Sequence, residues 1–245
     1  MSVRLPQLPG GRLLRWYGRM AFGAARLTAG PALRRLYSVR VEGVEAIPPH
    51  GAAIFAPNHL SLVDPFFITL VVPRFVTFIG KAEYFDAWQT RLLMEAAGVI
   101  PVRREDSAQA QGSLNAGKHV LDAGNLLGIF PEGTRSPDGR LYKGKTGAAR
   151  MAVEVGCPII PLGLIGTMHV MPKDAKLPGL GPRVTVRFGR PVHVPKEAKD
   201  DPRVLRTFTD DLMEQIRGLT GQEYRHRYAY TKRSGQPTPP AALFA

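Results

Sequence analysis

Cysteine, acidic residues and long apolar runs are all scarce in this chain of 245 residues. The single cysteine, Cys157, excludes an internal disulfide and a cysteine-rich metal cluster. It precedes an apolar stretch, so we expect it to be a buried core residue rather than a nucleophile. No run reaches the roughly 18 apolar residues of a membrane-spanning helix, and the nearest candidate, 65–72, is stopped by Pro73. The Pro- and Gly-rich residues 1–11 do not resemble a cleavable signal sequence.

The shortage of acidic residues gives the chain a strong positive charge. Lys and Arg total 33 against 20 Asp and Glu, for a net charge of +13 and a pI near 10.3. This charge indicates an anionic partner: lipid headgroups, nucleic acid or a phosphorylated substrate. The length indicates one domain with at most a small appendage, and the hydrophobic content of 44% is ordinary for a globular protein.

Basic residues near the N-terminus recur at helical spacing. Between residues 12 and 28, four arginines alternate with apolar and aromatic residues, among them Trp16 and Phe22. A basic amphipathic helix is typical of segments that lie in the interface of a bilayer containing anionic lipids. The alternative is a surface helix packed on the domain with solvated arginines. We favour the first and predict a membrane-associating segment over residues 1–37.

From residue 38 the sequence alternates short apolar strands with helices. The predicted strands are Val39–Val41, Ala52–Ala56, Phe75–Ile79, Val99–Val102, Leu126–Phe130, Ile159–Ile165 and Val184–Phe188. The predicted helices are Pro65–Val72, Tyr84–Ala97, Ala108–Ala123, Thr146–Val155 and Val204–Leu219. This alternation predicts an α/β fold, a mainly parallel mixed sheet with helices on both faces. We assign residues 38–222 to this domain and 223–245, basic and then Pro-rich, to a disordered tail.

The stretch from Asn58 to Asp64 is the strongest candidate for chemistry. Histidine is the side chain whose ordinary pKa lies nearest neutral pH. Asp64 follows His59 by five positions. A carboxylate that accepts a hydrogen bond from one ring nitrogen fixes the tautomer and leaves the other nitrogen as a base. Positions five apart project about 140° from each other on a helix, so the pair meets only if the backbone turns between them. Ser61 and Asp64 form a helix-start signal before Pro65, which predicts such a turn.

A second stretch, Phe130–Ser136, follows another buried strand. It combines Gly133, which accommodates backbone conformations closed to other residues, with the hydroxyl of Thr134 and the guanidinium of Arg135. Arginine holds phosphate through paired hydrogen bonds, and ligands of α/β proteins bind in loops that follow the strands. Glu132 is acidic beside the expected phosphate site, so we expect it to hold the loop or the region of a substrate hydroxyl rather than the phosphate.

These two stretches belong to a series of four ordered blocks. The blocks are 58–64, then 78–85 with 98–104, then 132–135 with 143–147, and 158–163. Together they resemble the 1-acylglycerol-3-phosphate acyltransferase family, the glycerolipid acyltransferases with an H-x4-D motif, over about residues 39–195. Tyr142 stands where that family leads us to expect Phe. The resemblance implies a glycerol-3-phosphate acyltransferase-like fold and an O-acyltransferase that moves a fatty acyl group from a thioester to the free hydroxyl of 1-acyl-sn-glycerol-3-phosphate, giving phosphatidic acid.

The resemblance also implies roles for individual residues. His59, oriented by Asp64, takes the proton of the acceptor hydroxyl as that oxygen attacks the thioester carbonyl. The substrate-binding candidates are Lys81, Arg103, Glu132, Gly133, Thr134 and Arg135. The choice between Arg103 and Arg104 stays open, as does that between acyl-CoA and acyl-acyl carrier protein as donor. No metal or cofactor is expected, and no G-x-S-x-G elbow indicates a covalent acyl-enzyme.

Other functions also agree with parts of the sequence. A nucleic-acid-binding module would suit the charge, but zinc-finger spacing and RNA-recognition blocks are absent. A hydrolase of the same thioester, or a transferase acting on glycerol-3-phosphate or another lysophospholipid, stays open. We favour the lysophospholipid transferase, with no nucleic-acid partner, working at the cytoplasmic face of a membrane as a peripheral or monotopic protein.

Overall fold

The computed structural model describes residues 30–86, 91, 94, 98–102, 107–172, 175 and 177–229. The predicted N-terminal helix, Arg103, Arg104 and much of the predicted helix Tyr84–Ala97 lie outside these ranges. Within them, no helix combines the length and apolar character needed to cross a membrane.

Nine strands within the described ranges form two sheets. They are β1 (Arg40–Glu42), β2 (Ala53–Pro57), β3 (Val76–Lys81), β4 (Val99–Val102), β5 (Leu126–Gly128), β6 (Leu141–Tyr142), β7 (Ile159–Ile165), β8 (Thr185–Phe188) and β9 (Tyr224–Arg225). Seven of them form the main sheet in the order β1-β8-β7-β2-β5-β3-β4. Every pair in it is parallel except β7 with β8. The predicted α/β fold with a mainly parallel mixed sheet is therefore confirmed.

Five helices of the described residues connect or cover the strands. They are α1 (Asp64–Val71), α2 (Ser107–Asp122), α3 (Gly147–Val155), α4 (Thr167–Val170) and α5 (Pro202–Thr220). Short 3-10 turns occupy Val44–Ala46, Ala82–Phe85 and Lys196–Lys199, and residues 30–36 are helical. The predicted starts and ends of the strands and of the helices α2, α3 and α5 agree with these bounds to within a few residues.

The main sheet has a hydrophobic core on each face. All five residues of β2 are buried, as a near-continuous apolar strand between two helical layers requires. Phe55 packs with Phe67 of α1 on one face, whereas Ile54 lies in the cluster of α3 and α5 on the other. Cys157 is buried in that second cluster, as predicted. Two apolar layers around one sheet account for the helices on both faces.

The C-terminal end of the domain corrects one prediction. Tyr224–Arg225 pairs in parallel with Leu141–Tyr142, and the Leu141 amide donates to the Glu223 carbonyl at 3.0 Å. Residues 223–229 thus belong to the folded domain, and the tail cannot begin at 223; residues 230–245 lie outside the described ranges. A two-residue strand is too short to show an alternating pattern, and its partner lies some 80 positions away in the chain. No local pattern therefore predicts it.

The topology brings several loops to one edge of the main sheet. The parallel strands β2, β3, β5 and β7 end there, and the loops leaving β2 and β5 carry His59 and Glu132. Strands β8 and β1 run the opposite way to β7, so their first residues lie at this same edge. The helical residues 30–36 come shortly before β1 in the chain. We call this edge, formed by the carboxyl ends of β2, β3, β5 and β7, the site edge.

Gly128 in β5 offers a test of the packing behind the site edge. A methyl group at Gly128 would collide with the ring of Phe78, which itself stacks on Phe130. We expect Gly128→Ala to lower the free energy of unfolding by about 1–3 kcal/mol, because the overpacked ring must move. Urea denaturation measures this loss.

Gly112→Ala is the matched control. Gly112 lies in α2, and nothing stands within 4 Å of the position that its Cβ would take, so alanine should raise the free energy of unfolding by about 0.5–1 kcal/mol. A Gly128→Ala protein as stable as the parent would contradict the packing described here.

Candidate active site

The turn between His59 and Asp64 is closed by one carboxylate oxygen. Oδ2 of Asp64 accepts hydrogen bonds from the amides of Leu60 (2.7 Å) and Ser61 (2.8 Å) and lies 2.9 Å from Nδ1 of His59. The predicted turn therefore exists, and it brings the two side chains together. Its construction differs from the prediction, since α1 begins at Asp64 itself, after Val63, and no side chain caps it.

Ser61 has a structural partner in place of the predicted capping role. Its side chain is fully buried, and its hydroxyl donates to the Met171 carbonyl at 2.7 Å. The serine thus joins the turn to the chain that follows α4. A hydroxyl engaged in this way is a poor candidate for a nucleophile.

The imidazole of His59 is held between an acid and an aromatic ring. Its ring lies 3.8 Å from that of Phe130, centroid to centroid, with an interplanar angle of 23°. Phe130 in turn stacks on Phe78 at 5.9 Å. The His59 side chain keeps 17% of its surface exposed, and within the described residues nothing bonds its Nε2. The arrangement leaves that nitrogen as the one available to a substrate proton.

Glu132 joins the two predicted loops from a buried position. Its side chain is only 2% exposed, and its oxygens accept the amides of His59 (2.9 Å) and Tyr142 (3.0 Å). Burial raises the pKa of Glu132 to about 8; the two amide hydrogen bonds oppose the shift, and the neighbouring Asp64 carboxylate adds to it. Of the two alternatives left open for Glu132, this geometry is that of a residue that holds the loop.

Backbone contacts complete the junction between the loops. The Ser136 amide donates to the His59 carbonyl at 2.7 Å, and the Lys145 amide donates to the Pro131 carbonyl at 2.8 Å. Gly133 has φ +73°, in the left-handed region that favours glycine, which agrees with the conformational freedom expected of it. The side chain of Lys145 passes about 3.1 Å from where a Gly133 Cβ would stand. This lysine is a cation at the loop to which sequence reasoning gives no role.

The structure brings together only part of the predicted substrate-binding set. Thr134 and Arg135 are half-buried in the Glu132 loop, and the Arg135 guanidinium forms no hydrogen bond or ion pair within the described residues. Lys81 is the last residue of β3 and so reaches the site edge, although its side chain is not described. Arg103 lies outside the described ranges.

Asn58 opens the candidate stretch 58–64, but the sequence alone gives it no role in the site. Its buried amide pairs with both backbone groups of Leu164 in β7, at 2.9 and 2.7 Å, and also donates to Gln222 at 2.8 Å. Gln222 in turn donates to the Gly139 carbonyl at 2.6 Å. Gln222 lies just after α5, more than 160 positions from Asn58. The sequence therefore shows it only as a polar residue beside a helix end, with no indication that it reaches Asn58.

A comparison with known families decides the assignment. The family model described as Acyltransferase matches residues 38–165, which include the His59 turn, the Glu132 loop and all of β7. The chain belongs to the acyltransferase family. The predicted resemblance is thereby confirmed.

Relatives of this acyltransferase carry a more specific name. This chain is 31% identical over 170 residues to the 1-acyl-sn-glycerol-3-phosphate acyltransferase LPAT1, chloroplastic, of Arabidopsis thaliana. The matched region covers 69% of this chain and 48% of the relative. The chain is 28% identical to the 1-acyl-sn-glycerol-3-phosphate acyltransferase of Haemophilus influenzae over 84% of this chain and 80% of the relative. The acyltransferase thus spans about half the length of the plant protein.

A solved structure supports the fold of this acyltransferase. The crystal structure of the 1-acyl-sn-glycerophosphate (LPA) acyltransferase PlsC from Thermotoga maritima superposes with a TM-score of 0.61 over 83% of this chain and 84% of that one. At 24% identity the likeness establishes the shared fold.

The raised pKa of Glu132 predicts a pH-dependent stability. Unfolded, this carboxyl titrates near 4.5; folded, it titrates at about 8. Between about pH 5 and pH 8 the folded protein therefore keeps a proton that the unfolded chain has lost, and the stability contributed by Glu132 falls as pH rises. We expect the free energy of unfolding of the parent, relative to that of Glu132→Gln, to decrease across this window. Urea denaturation at several pH values measures the difference.

An exposed glutamate provides the comparison for this experiment. Glu154 lies on the surface of α3, and Glu154→Gln should show no such trend between about pH 5 and pH 8. A parent-to-Glu132→Gln difference that stays constant with pH would show that the buried carboxyl keeps its ordinary pKa.

Proposed function

We propose that this chain transfers a fatty acyl group from an acyl thioester to the free hydroxyl of 1-acyl-sn-glycerol-3-phosphate and so forms phosphatidic acid. The observation that carries the proposal is the 2.9 Å contact of His59 with Asp64, joined to the Arg135 loop through Glu132. The names of the relatives support this choice of substrate. We further propose a peripheral position at the cytoplasmic face of a membrane, where the acceptor lipid resides.

The transfer needs one base and no protein nucleophile. Nε2 of His59 takes the proton of the acceptor hydroxyl while that oxygen bonds to the thioester carbonyl carbon. The carbon–sulfur bond then breaks, and the imidazolium returns the proton to the departing thiolate. Asp64, bound to Nδ1, holds the tautomer that leaves Nε2 unprotonated and stabilises the imidazolium formed in between. The buried Ser61 hydroxyl, bonded to Met171, supports this direct route over an acyl-enzyme.

The cationic side chains around the Glu132 loop bind the acceptor phosphate. Arg135 is half-buried and without a partner in the described residues, so its fork of donors is available to a phosphate. Lys145, whose side chain crosses Gly133, adds a second positive charge on the same loop. We assign Lys81 and Arg103 supporting roles by their place in the family blocks. Glu132 holds the loop in place through the His59 and Tyr142 amides and does not contact the phosphate.

Removal of the base tests the mechanism. We expect His59→Ala to lower kcat on the order of 10²–10⁴-fold, because the acceptor hydroxyl loses its proton acceptor. Thiol release from acyl-CoA and from acyl-acyl carrier protein, with 1-acyl-sn-glycerol-3-phosphate or glycerol-3-phosphate as acceptor, measures the rate. His119→Ala, an exposed position on α2, should leave the rate unchanged. Thiol release by the parent without any acceptor would instead indicate a hydrolase.

Removal of the Arg135 guanidinium tests the phosphate site. Charge-assisted hydrogen bonds contribute about 1.5–3 kcal/mol, so we expect Arg135→Ala to raise KM for the acceptor roughly ten- to a hundredfold. The KM for the acyl donor should change much less. Arg190→Ala, an exposed arginine beyond β8 at the opposite edge of the sheet, serves as the control for lost charge. An unchanged acceptor KM in Arg135→Ala would remove this residue from the phosphate site.

A further inference from the structure

Large apolar side chains are exposed in the segment that follows α4. Leu177 and Leu180 expose 75% and 76% of their surfaces, more than any other large apolar residue described. Single exposed leucines are common, but two such residues three positions apart in one loop indicate a surface that something covers. Residues 177–183 contain two Pro and two Gly and form no helix or strand, so the two leucine side chains project from an irregular loop.

This loop starts beside the His59 turn. The Met171 carbonyl, at the end of α4, accepts the buried Ser61 hydroxyl at 2.7 Å, and Ser61 itself donates its amide to Asp64 at 2.8 Å. The Gly179 amide donates to the Val170 carbonyl at 2.6 Å and folds the loop back on α4. Leu177 and Leu180 are therefore carried on the site edge, a short chain of contacts away from the catalytic pair.

A third exposed leucine lies along the same edge. Leu36 exposes 42% of its surface in the helical residues 30–36, and the adjoining Tyr37 carbonyl accepts the Val184 amide at 3.1 Å. Val184 immediately precedes β8, into which the leucine-bearing loop runs. Leu36 directly precedes Tyr37 of this backbone junction, and Leu177 and Leu180 belong to the loop that leads to Val184.

Cations accompany these leucines. Arg183 directly precedes Val184, and Arg35 lies two residues before Tyr37; both arginines are exposed. The loop sequence from 171 to 183 contains three basic residues against one acidic residue. Apolar side chains set among cations match the interface of a bilayer with anionic headgroups, where the chains enter the boundary and the charges stay at the phosphates.

We propose that Leu36, Leu177 and Leu180, together with Arg35 and Arg183, form a membrane-docking surface that seats the site edge on an anionic bilayer. The proposal rests on the proposed function in one respect, that the acceptor is a lipid held in that bilayer. When these residues dock, the loop that carries His59 faces the membrane. The acceptor then reaches Nε2 with its acyl chain still in an apolar environment.

The first experiment places a polarity-sensitive fluorophore on single cysteines. The buried Cys157 is removed by Cys157→Ala, and Leu177→Cys, Leu180→Cys or Val44→Cys is added to the full-length chain. Val44 is the matched control, since it is an exposed apolar residue just beyond β1, at the edge of the sheet opposite the site edge. The probe is a vesicle of equal parts phosphatidylcholine and phosphatidylglycerol.

Insertion has a distinct spectroscopic result. We expect emission from labels at 177 and 180 to shift to the blue and brighten when vesicles are added, while the label at 44 stays at its aqueous emission. Labels at 177 and 180 that keep their aqueous emission, on protein that sediments with the vesicles, would overturn the proposal. So would equal shifts at all three positions.

The second experiment measures partition onto the same vesicles. Leu177→Asn combined with Leu180→Asn should lower the partition coefficient about tenfold, since two apolar side chains no longer leave water. Val44→Asn should bind as the parent does. Unchanged binding of the double variant, with an unchanged thermal unfolding midpoint, would overturn the proposal. A lipid-free dimer that the same double substitution dissociates would also overturn it, because a second copy would then be the occupant.

Docking and acyl transfer can fail separately. Acyl transfer by the parent to acceptor dispersed in detergent tests the proposed function without vesicles. Transfer in detergent with no label insertion refutes the docking surface alone. Label insertion by a parent that acylates no acceptor supports the docking surface and refutes the proposed function.

Discussion

One oxygen atom, Oδ2 of Asp64, sets the geometry on which the site depends. It accepts two backbone amides from residues that precede it and holds Nδ1 of His59. A buried carboxylate is costly unless hydrogen bonds compensate it, and these three donors do so for Oδ2, while the buried Oδ1 has no hydrogen-bond partner among the described residues. The same contacts bend the backbone, so the feature that orients the imidazole also makes the turn that presents it. Loss of this carboxylate would therefore disturb both the tautomer of the ring and the path of the chain.

A second buried acidic residue connects this turn to the rest of the domain. Glu132 accepts the His59 amide and the Tyr142 amide, and so fixes the loop after β5 against the loop after β2. The stacked rings of Phe78 and Phe130 support the imidazole from the sheet side. The two acids thus hold and orient groups, whereas the cations Arg135 and Lys145 lie nearer the surface. This division of charge agrees with membership of the acyltransferase family and with the net charge of the whole chain.

Several elements follow from local patterns and were predictable. Strand β7 has the bounds of the apolar run Ile159–Ile165, and α3 begins one residue after the predicted Thr146. The pairing of His59 with Asp64 was predictable because the helix-start signal of Ser61 and Asp64 before Pro65 indicates a turn between them. Other features depend on distant partners. Strand β9 exists only because Leu141–Tyr142 lies beside it, and Gln222 belongs to the site only because the end of α5 reaches Asn58.

Local patterns in the sequence are enough to predict the α/β alternation, the imidazole with its acid, and the loop that contains glycine and arginine, since each element or motif is encoded within its own short stretch. Three features follow only from contacts between distant segments: Glu132 is buried and holds the loop, Ser61 bonds Met171 instead of capping α1, and exposed leucines lie on the site edge. Local patterns do not encode these features, because the burial of a residue and the partner of each polar group depend on segments far away in the chain.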